Sequence, residues 1–186
     1  MMDLWNADLE ELYQELCRTP SDINESLPTL RKYAVRCGHV TEFGIGGANS
    51  TCALLAAQPD ALVSYDLHVH LRYLENLHRV RGRTEFQWHQ ANVLQITIAP
   101  TDMLFIDTVH TYVQLKEELR LHAEKAGKYL AFHDTWIYGE RDGGETGHPI
   151  KGLRPALEEF LGADPRWKVL EDHQTGSGLM VLGCEP

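Results

Sequence analysis

Apolar positions recur along this chain in two different periods. At the start, Leu4, Leu9, Leu12, Tyr13 and Leu16 share one face at helical spacing, which predicts an amphipathic helix over residues 4–18. Ser21 follows as a candidate N-cap, with Asn24 where a capping box would place Glu. Ile23, Leu27, Leu30 and Tyr33 then carry a second helix to about Arg36, with Pro28 in its first turns, where proline costs least. Beyond it the pattern changes to short, compact apolar runs. His39–Phe43, Ala61–Asp66, Thr84–His89, Asp102–Asp107 and Lys128–His133 read as five strands. The segments Ser50–Ala57, His70–Val80 and Tyr112–Ala126 read as helices between them. Strand alternating with helix predicts βαβ units and a parallel sheet. Two more strands close the chain, Trp167–Glu171 and Gly178–Gly183, separated by a short stretch that carries Gly176, so this pair is expected as an antiparallel hairpin. The one long irregular stretch is 136–150, rich in glycine. No internal repeat or low-complexity segment interrupts the pattern.

Composition narrows the class. At 186 residues the chain is expected to form one domain, residues 1–37 supplying two helices and 38–186 the core. Hydrophobic residues at 43% and charged ones at 24% are ordinary for a globular protein. A net charge of −10 argues against nucleic acid and anionic membranes as partners, because phosphate calls for basic patches. No apolar stretch is long enough to span a bilayer, and the N-terminus lacks a basic segment and an apolar signal core, so a cytoplasmic location is expected. Cys17, Cys37, Cys52 and Cys184 are scattered without a CxxC pair and read as free thiols.

The candidate chemistry begins where the first strand runs into glycines, in Glu42-Phe43-Gly44-Ile45-Gly46-Gly47-Ala48-Asn49-Ser50. Glycines let the backbone turn sharply and approach a ligand, and the helix starting at Ser50 offers free N–H groups. Asp66, about 20 residues on, stands where a carboxylate can bind ribose hydroxyls. Together these point to a nucleoside-containing ligand; a tight strand–helix turn with no ligand is the plain alternative. The dinucleotide fingerprint G-x-G-x-x-G is met at Gly44 and Gly46 but fails at Asn49, which weakens NAD or FAD. The glycine turn, Asp66 and the closing hairpin together resemble the class I S-adenosylmethionine-dependent methyltransferases, over residues 39–183. The family motif is E/D-x-G-x-G-x-G; Glu42, Gly44 and Gly46 match it, and Ala48 replaces the last glycine, leaving Gly47 to supply flexibility. The resemblance implies a Rossmann-like three-layer α/β sandwich, with a seven-stranded, mostly parallel sheet whose last strand is antiparallel. It also implies S-adenosylmethionine as cofactor, with Glu42 positioning its methionine end through its surroundings and Asn92 near the adenine. Ser50 joins the cofactor set as the first residue of the helix.

A second group lies at the ends of the fourth and fifth strands, Asp107, His110, His133 and Asp134. Ligands of open parallel sheets bind at the carboxyl ends of the strands. Two carboxylates facing one another repel, and a divalent cation removes the conflict, Mg²⁺ being the oxygen-loving default. Such an ion favours a deprotonated substrate hydroxyl, and His110 is placed to take the proton as general base. The pattern is similar to a subgroup of metal-dependent small-molecule O-methyltransferases, the macrolide-sugar O-methyltransferases and the cephalosporin hydroxylase-like family. There the fourth strand carries I-D-x-x-H, matched by Ile106-Asp107-Thr108-Val109-His110, and the fifth ends in two adjacent acids. His133-Asp134 departs from the second feature. His133 is either a ligand through nitrogen, which favours Mn²⁺, Fe²⁺ or Zn²⁺, or a packing residue behind the site. The metal set is therefore expected as Asp107, His133 and Asp134, with capping of loop N–H groups as the alternative for the two acids.

The expected reaction is methyl transfer from S-adenosylmethionine to a hydroxyl of a small polar acceptor. Three rivals stay open. Asp66-Leu67-His68-Val69-His70 resembles the metal motif of a hydrolase family, though such barrels need longer chains. A metal-independent methyltransferase and a non-catalytic S-adenosylmethionine-binding protein are the others. The stretch 136–150 is a candidate lid, with Trp136, Tyr138 and His148 toward the acceptor and Arg141 toward an anionic group on it, or else a surface loop. A homodimer through Leu4, Trp5 and Leu9 is a further expectation.

Overall fold

A computed structural model describes residues 8–141 and 151–185. Its elements follow in the order α1 Leu9–Arg18, α2 Leu27–Ala34, β1 His39–Phe43, α3 Asn49–Ala56, β2 Ala61–Asp66, α4 Leu71–Val80, β3 Glu85–Gln90, β4 Thr101–Ile106, α5 Tyr112–His122, β5 Ala126–His133, α6 Leu153–Ala163, β6 Trp167–His173 and β7 Leu179–Cys184. The seven strands form one sheet in the order β3-β2-β1-β4-β5-β7-β6. Only β7 runs against its neighbours, pairing antiparallel with both β5 and β6, while β1 to β5 pair in parallel. The α/β sandwich, with its antiparallel last strand, is as the sequence predicts.

The central strands are apolar on both faces because helices cover both. In β4, Met103 and Phe105 pack with α1 to α4, whereas Leu104 and Ile106 pack with α5 and α6. That alternation is the strand period of two read by two separate cores. β1 and β4 are neighbours although β2 and β3 intervene in sequence, so the strand order turns outward on both sides of this pair. A crevice forms at such a switch point.

Helix boundaries differ from the periodic reading for local reasons. α1 starts at Leu9 because Asp8 caps it, accepting from Glu11 N at 2.8 Å and completing a capping box; Leu4 and Trp5 lie outside the described residues. Ser21 and Asn24 do bond reciprocally, at 3.0 and 3.1 Å, but they close a turn, and α2 begins only at Leu27, with Pro28 in its first turn. α5 ends at His122, tightening to a 3₁₀ turn over Ala123–Lys125. The helix absent from the sequence reading is α6. Its spaced Leu153, Ala156 and Leu157 bury against α5, a periodicity partly hidden by Pro155, by Gly152 before the helix and by Gly162 in its last turn. Among the described residues no helix is long and apolar enough to cross a membrane.

Candidate active site

The first half of the site grows from the β1–α3 turn. Gly44 has φ +85°, and a Cβ there would lie 1.7 Å from the carbonyl oxygen of Asp107, so only glycine lets β1 and β4 approach this closely. Gly46 also has positive φ, with open space around it. The last motif position keeps its left-handed backbone without a glycine. Ala48 itself takes φ +64°, and Gly47, expected to supply the flexibility, does not have a positive φ. Buried Ala48 accepts the strain because packing over-determines the turn.

Glu42 sits behind the turn, fully buried. Its carboxylate accepts from Ser50 Oγ at 2.7 Å, Thr51 Oγ1 at 2.9 Å and Ser64 Oγ at 2.6 Å, tying β1 to the start of α3 and to β2. Burial pushes the carboxyl up to about 7 against the pull of those hydroxyls. Glu42 and Ser50 thus act on the turn from behind. Asp66 faces the turn directly. Its Oδ2 accepts from the N–H groups of Ile45 and Gly46 at 2.7 and 3.1 Å, and its Oδ1 from His68 N at 2.9 Å. A carboxylate has about four acceptor positions, so capacity remains beyond these three bonds. A cleft of about 230 Å³ opens here, lined by Gly44, Gly46, Tyr65, Asp66, Asn92 and Asp107 among others. Asn92 Oδ1 is committed to Leu94 N at 2.9 Å. Gly47 instead borders a separate groove between α1, α3 and α4.

Asp107 joins this cleft to the second half. His110 Nε2 lies 2.6 Å from Asp134 Oδ2 and 3.6 Å from Asp107 Oδ1, and His133 Nδ1 lies 3.4 Å from each of those two oxygens. Yet His110 Nε2 makes no aligned hydrogen bond. Asp107, His110 and Asp134 form the one group of three metal-capable donors found among the described residues, within 4.8 Å of one another. Asp66, His68 and His70 do not gather in this way.

Asp134 holds φ +60°, a left-handed backbone kept at the end of β5. Burial would raise the carboxyls and lower the imidazoles, but the attraction between opposite charges 2.6–3.6 Å apart outweighs it. Asp107 and Asp134 fall below the usual carboxylate range, and His110 and His133 rise to about 9 and about 10. The Tyr138 ring stacks on His110 at 4.6 Å and 10°, fixing the imidazole plane, a role that sequence reasoning does not show. The described part of the candidate lid is anchored. Trp136 and Ile137 N–H groups both donate to Ser177 O at 3.1 Å, and Arg154, paired with Asp172, donates to Thr135 O at 3.1 Å. Trp136 and Ile137 remain exposed, and His148 lies outside the described residues.

No family model and no curated protein matches the sequence. Solved structures do match the fold. They include a candidate caffeoyl-CoA O-methyltransferase from Staphylococcus aureus, at TM-score 0.69 and 13% identity over 96% of this chain and 93% of that one. The O-methyltransferase TomG from Streptomyces achromogenes, involved in tomaymycin synthesis and solved with S-adenosylmethionine, matches at TM-score 0.60 and 16% identity over 100% of both chains. The N-methyltransferase NodS from Bradyrhizobium japonicum matches at TM-score 0.63 and 14% identity over 89% of this chain and 97% of that one. The fold is that of the class I S-adenosylmethionine-dependent methyltransferases.

Proposed function

We propose that this protein transfers the methyl group of S-adenosylmethionine to a hydroxyl of a small polar acceptor, with a divalent cation held by Asp107, His133 and Asp134 and with His110 as general base. The observation that carries the reading is the convergence of two carboxylates and two imidazoles at the ends of β4 and β5, on the rim of the cleft containing Gly44 and Asp66. In the reaction the acceptor oxygen bonds to the methyl carbon as the carbon–sulfur bond breaks and its electron pair returns to sulfur. The hydroxyl proton passes to His110. Most of the rate comes from holding oxygen, methyl and sulfur in line, which is the task of the glycine turn and Asp66. The cation, when bound, lowers the pKa of the acceptor hydroxyl. His110 is the more exposed of the two imidazoles and is held by Asp134 and Tyr138, so it is placed to exchange protons, while His133 is enclosed. The nitrogen donor of His133 favours Mn²⁺ alongside the Mg²⁺ that an oxygen-only set would select.

The test is calorimetric titration of S-adenosylmethionine and Mn²⁺, then assay of an acceptor panel with and without chelator. Binding of S-adenosylmethionine with chelator-sensitive methylation is the expected result. Binding with no product over a broad panel would favour a non-catalytic role, and chelator-resistant turnover a metal-independent enzyme.

The charge balance adds a pH prediction. In the metal-free protein the raised His110 and His133 contribute stability that is complete below their ordinary value of 6.5 and is lost as pH rises through about 9 to about 10. A cation held by His133 must displace its proton, so Mn²⁺ affinity should climb by about tenfold per pH unit below about 10. Mn²⁺ is accordingly expected to raise the melting temperature more at pH 9 than at pH 6, measured by thermal scans with and without metal. An equal shift at both pH values would remove the imidazoles from the site.

A further inference from the structure

Glu118 lies in the middle of α5, completely buried, ten residues beyond Thr108. Its Oε1 accepts from Thr108 Oγ1 at 2.7 Å and from Gln114 Nε2 at 2.8 Å, whereas its Oε2 is buried with no partner. His133 shows the complementary arrangement. Its Nδ1 faces Asp107 and Asp134, and its Nε2, on the far side of the ring, is buried with no partner. Unpaired buried polar atoms are rare in folded proteins. Both residues line one small cavity of about 10 Å³, together with His110, Leu115, Phe132 and Leu153. That is about the space of a single water molecule, which needs two or more polar partners.

We propose that Glu118 is a positioning residue for the metal site, acting through one water in this cavity that accepts the His133 Nε2–H and donates to Glu118 Oε2. A metal-ligating histidine is held by whatever binds its other nitrogen, and a carboxylate there selects the tautomer and raises the ligand's basicity. With the proton on Nε2, the Nδ1 lone pair faces the two aspartates. Thr108 and Gln114 fix the carboxylate by its first oxygen and leave the second for the water. The inference rests on the metal reading above and deepens it, by assigning Nδ1 as the ligating atom of His133.

Glu118→Gln tests it. The glutamine oxygen keeps the bonds from Thr108 and Gln114, so its amide presents donors to the cavity. The water must then donate to His133 Nε2, which drives the proton to Nδ1, against the cation. Calorimetric titration with Mn²⁺ is expected to show affinity about 10- to 100-fold weaker than wild type. Nitrogen NMR of the Mg²⁺-loaded proteins should report Nε2–H in wild type. Unchanged Mn²⁺ affinity, even with a lowered melting temperature, would mean that Glu118 merely braces the loop, and would overturn the proposal. Wild-type protein that takes up no Mn²⁺ would sink the metal reading together with this one, whereas wild-type binding equalled by Glu118→Gln sinks this one alone. If the variant does not fold, a high-resolution crystal structure of the wild type decides. Density for a water bonded to both atoms supports the relay, and an empty cavity or a direct Glu118–His133 contact overturns it.

Discussion

Asp134→Asn protein is expected to lose methyl transfer by about 10³-fold while binding S-adenosylmethionine within about threefold of wild type. The magnitude follows from the two jobs its carboxylate would lose. It is one of only two anions in the cluster, and its Oδ2 is the atom closest to His110, at 2.6 Å. Without it the proposed cation site would keep a single negative charge against two imidazoles, and His110 would lose the group that lies 2.6 Å from it. Loss of Lewis-acid assistance alone is worth several kcal/mol, which corresponds to about 10³-fold in rate. Asparagine is a better replacement than alanine, because Asp134 sits at φ +60° and asparagine tolerates that backbone nearly as well as aspartate. The substitution therefore removes charge and leaves the β5 terminus in place. Cofactor affinity should survive, since Asp134 is not among the residues lining the cleft of Gly44, Asp66 and Asn92. The check is a pair of titrations, S-adenosylmethionine and Mn²⁺, beside the rate of product formation. A fully active Asp134→Asn enzyme would sink the metal mechanism and leave the methyltransferase fold untouched.

Gly44→Ala is expected to be the most damaging single substitution to the fold among the motif glycines, costing about 3–5 kcal/mol and lowering the melting temperature by about 10 °C. The new methyl would sit 1.7 Å from Asp107 O, and backbone cannot swing away as a flexible side chain can. β1 and β4 are locked here by Asp107 N donating to Phe43 O at 2.8 Å, while Gly44 N donates to Tyr65 O at 2.9 Å. Relief of the clash would have to separate the two central strands at the point where Asp107 enters both the cleft and the cluster. Loss of cofactor binding and of metal binding should therefore appear together. Gly46→Ala provides the comparison, because it shares positive φ but meets nothing within 4 Å, and should cost only about 1–2 kcal/mol of backbone strain. Thermal melts of the two variants separate steric closeness from conformational strain. Equal destabilisation would show that φ alone matters at both positions.

Much of this architecture was legible because it is written in local periods. Apolar runs at β1, β2, β4 and β5, each with an acidic residue at or next to its end before a turn, mark strands whose carboxyl ends collect candidate functional groups. Glu42, Asp66, Asp107 and Asp134 all fall at or next to such ends, which is why they stood out. α6 was less legible: its apolar positions are three and four apart, but Pro155 in the first turn and glycine at both ends gave the segment the look of loop. At the glycine turn the sequence pointed to Gly47 as the flexible residue, whereas Ala48 bears the positive φ. A motif reports which residue types are present, and packing decides which residue carries the strain.

The sequence by itself determined the alternation of strand and helix, the glycine turn, and the residue types of both halves of the site, because periodicity, turn chemistry and side-chain identity are properties of the chain read in order. Tertiary structure alone decided what meets what. It set Tyr138 on the face of His110, turned Asp66 toward the N–H groups of the glycine turn, and brought Glu118 and His133, each with an unpaired buried atom, to the lining of one cavity. The physical reason is that these relations depend on register between strands distant in sequence and on the seating of helices across the sheet. Those are fixed when two cores pack at once, and no local spacing encodes them.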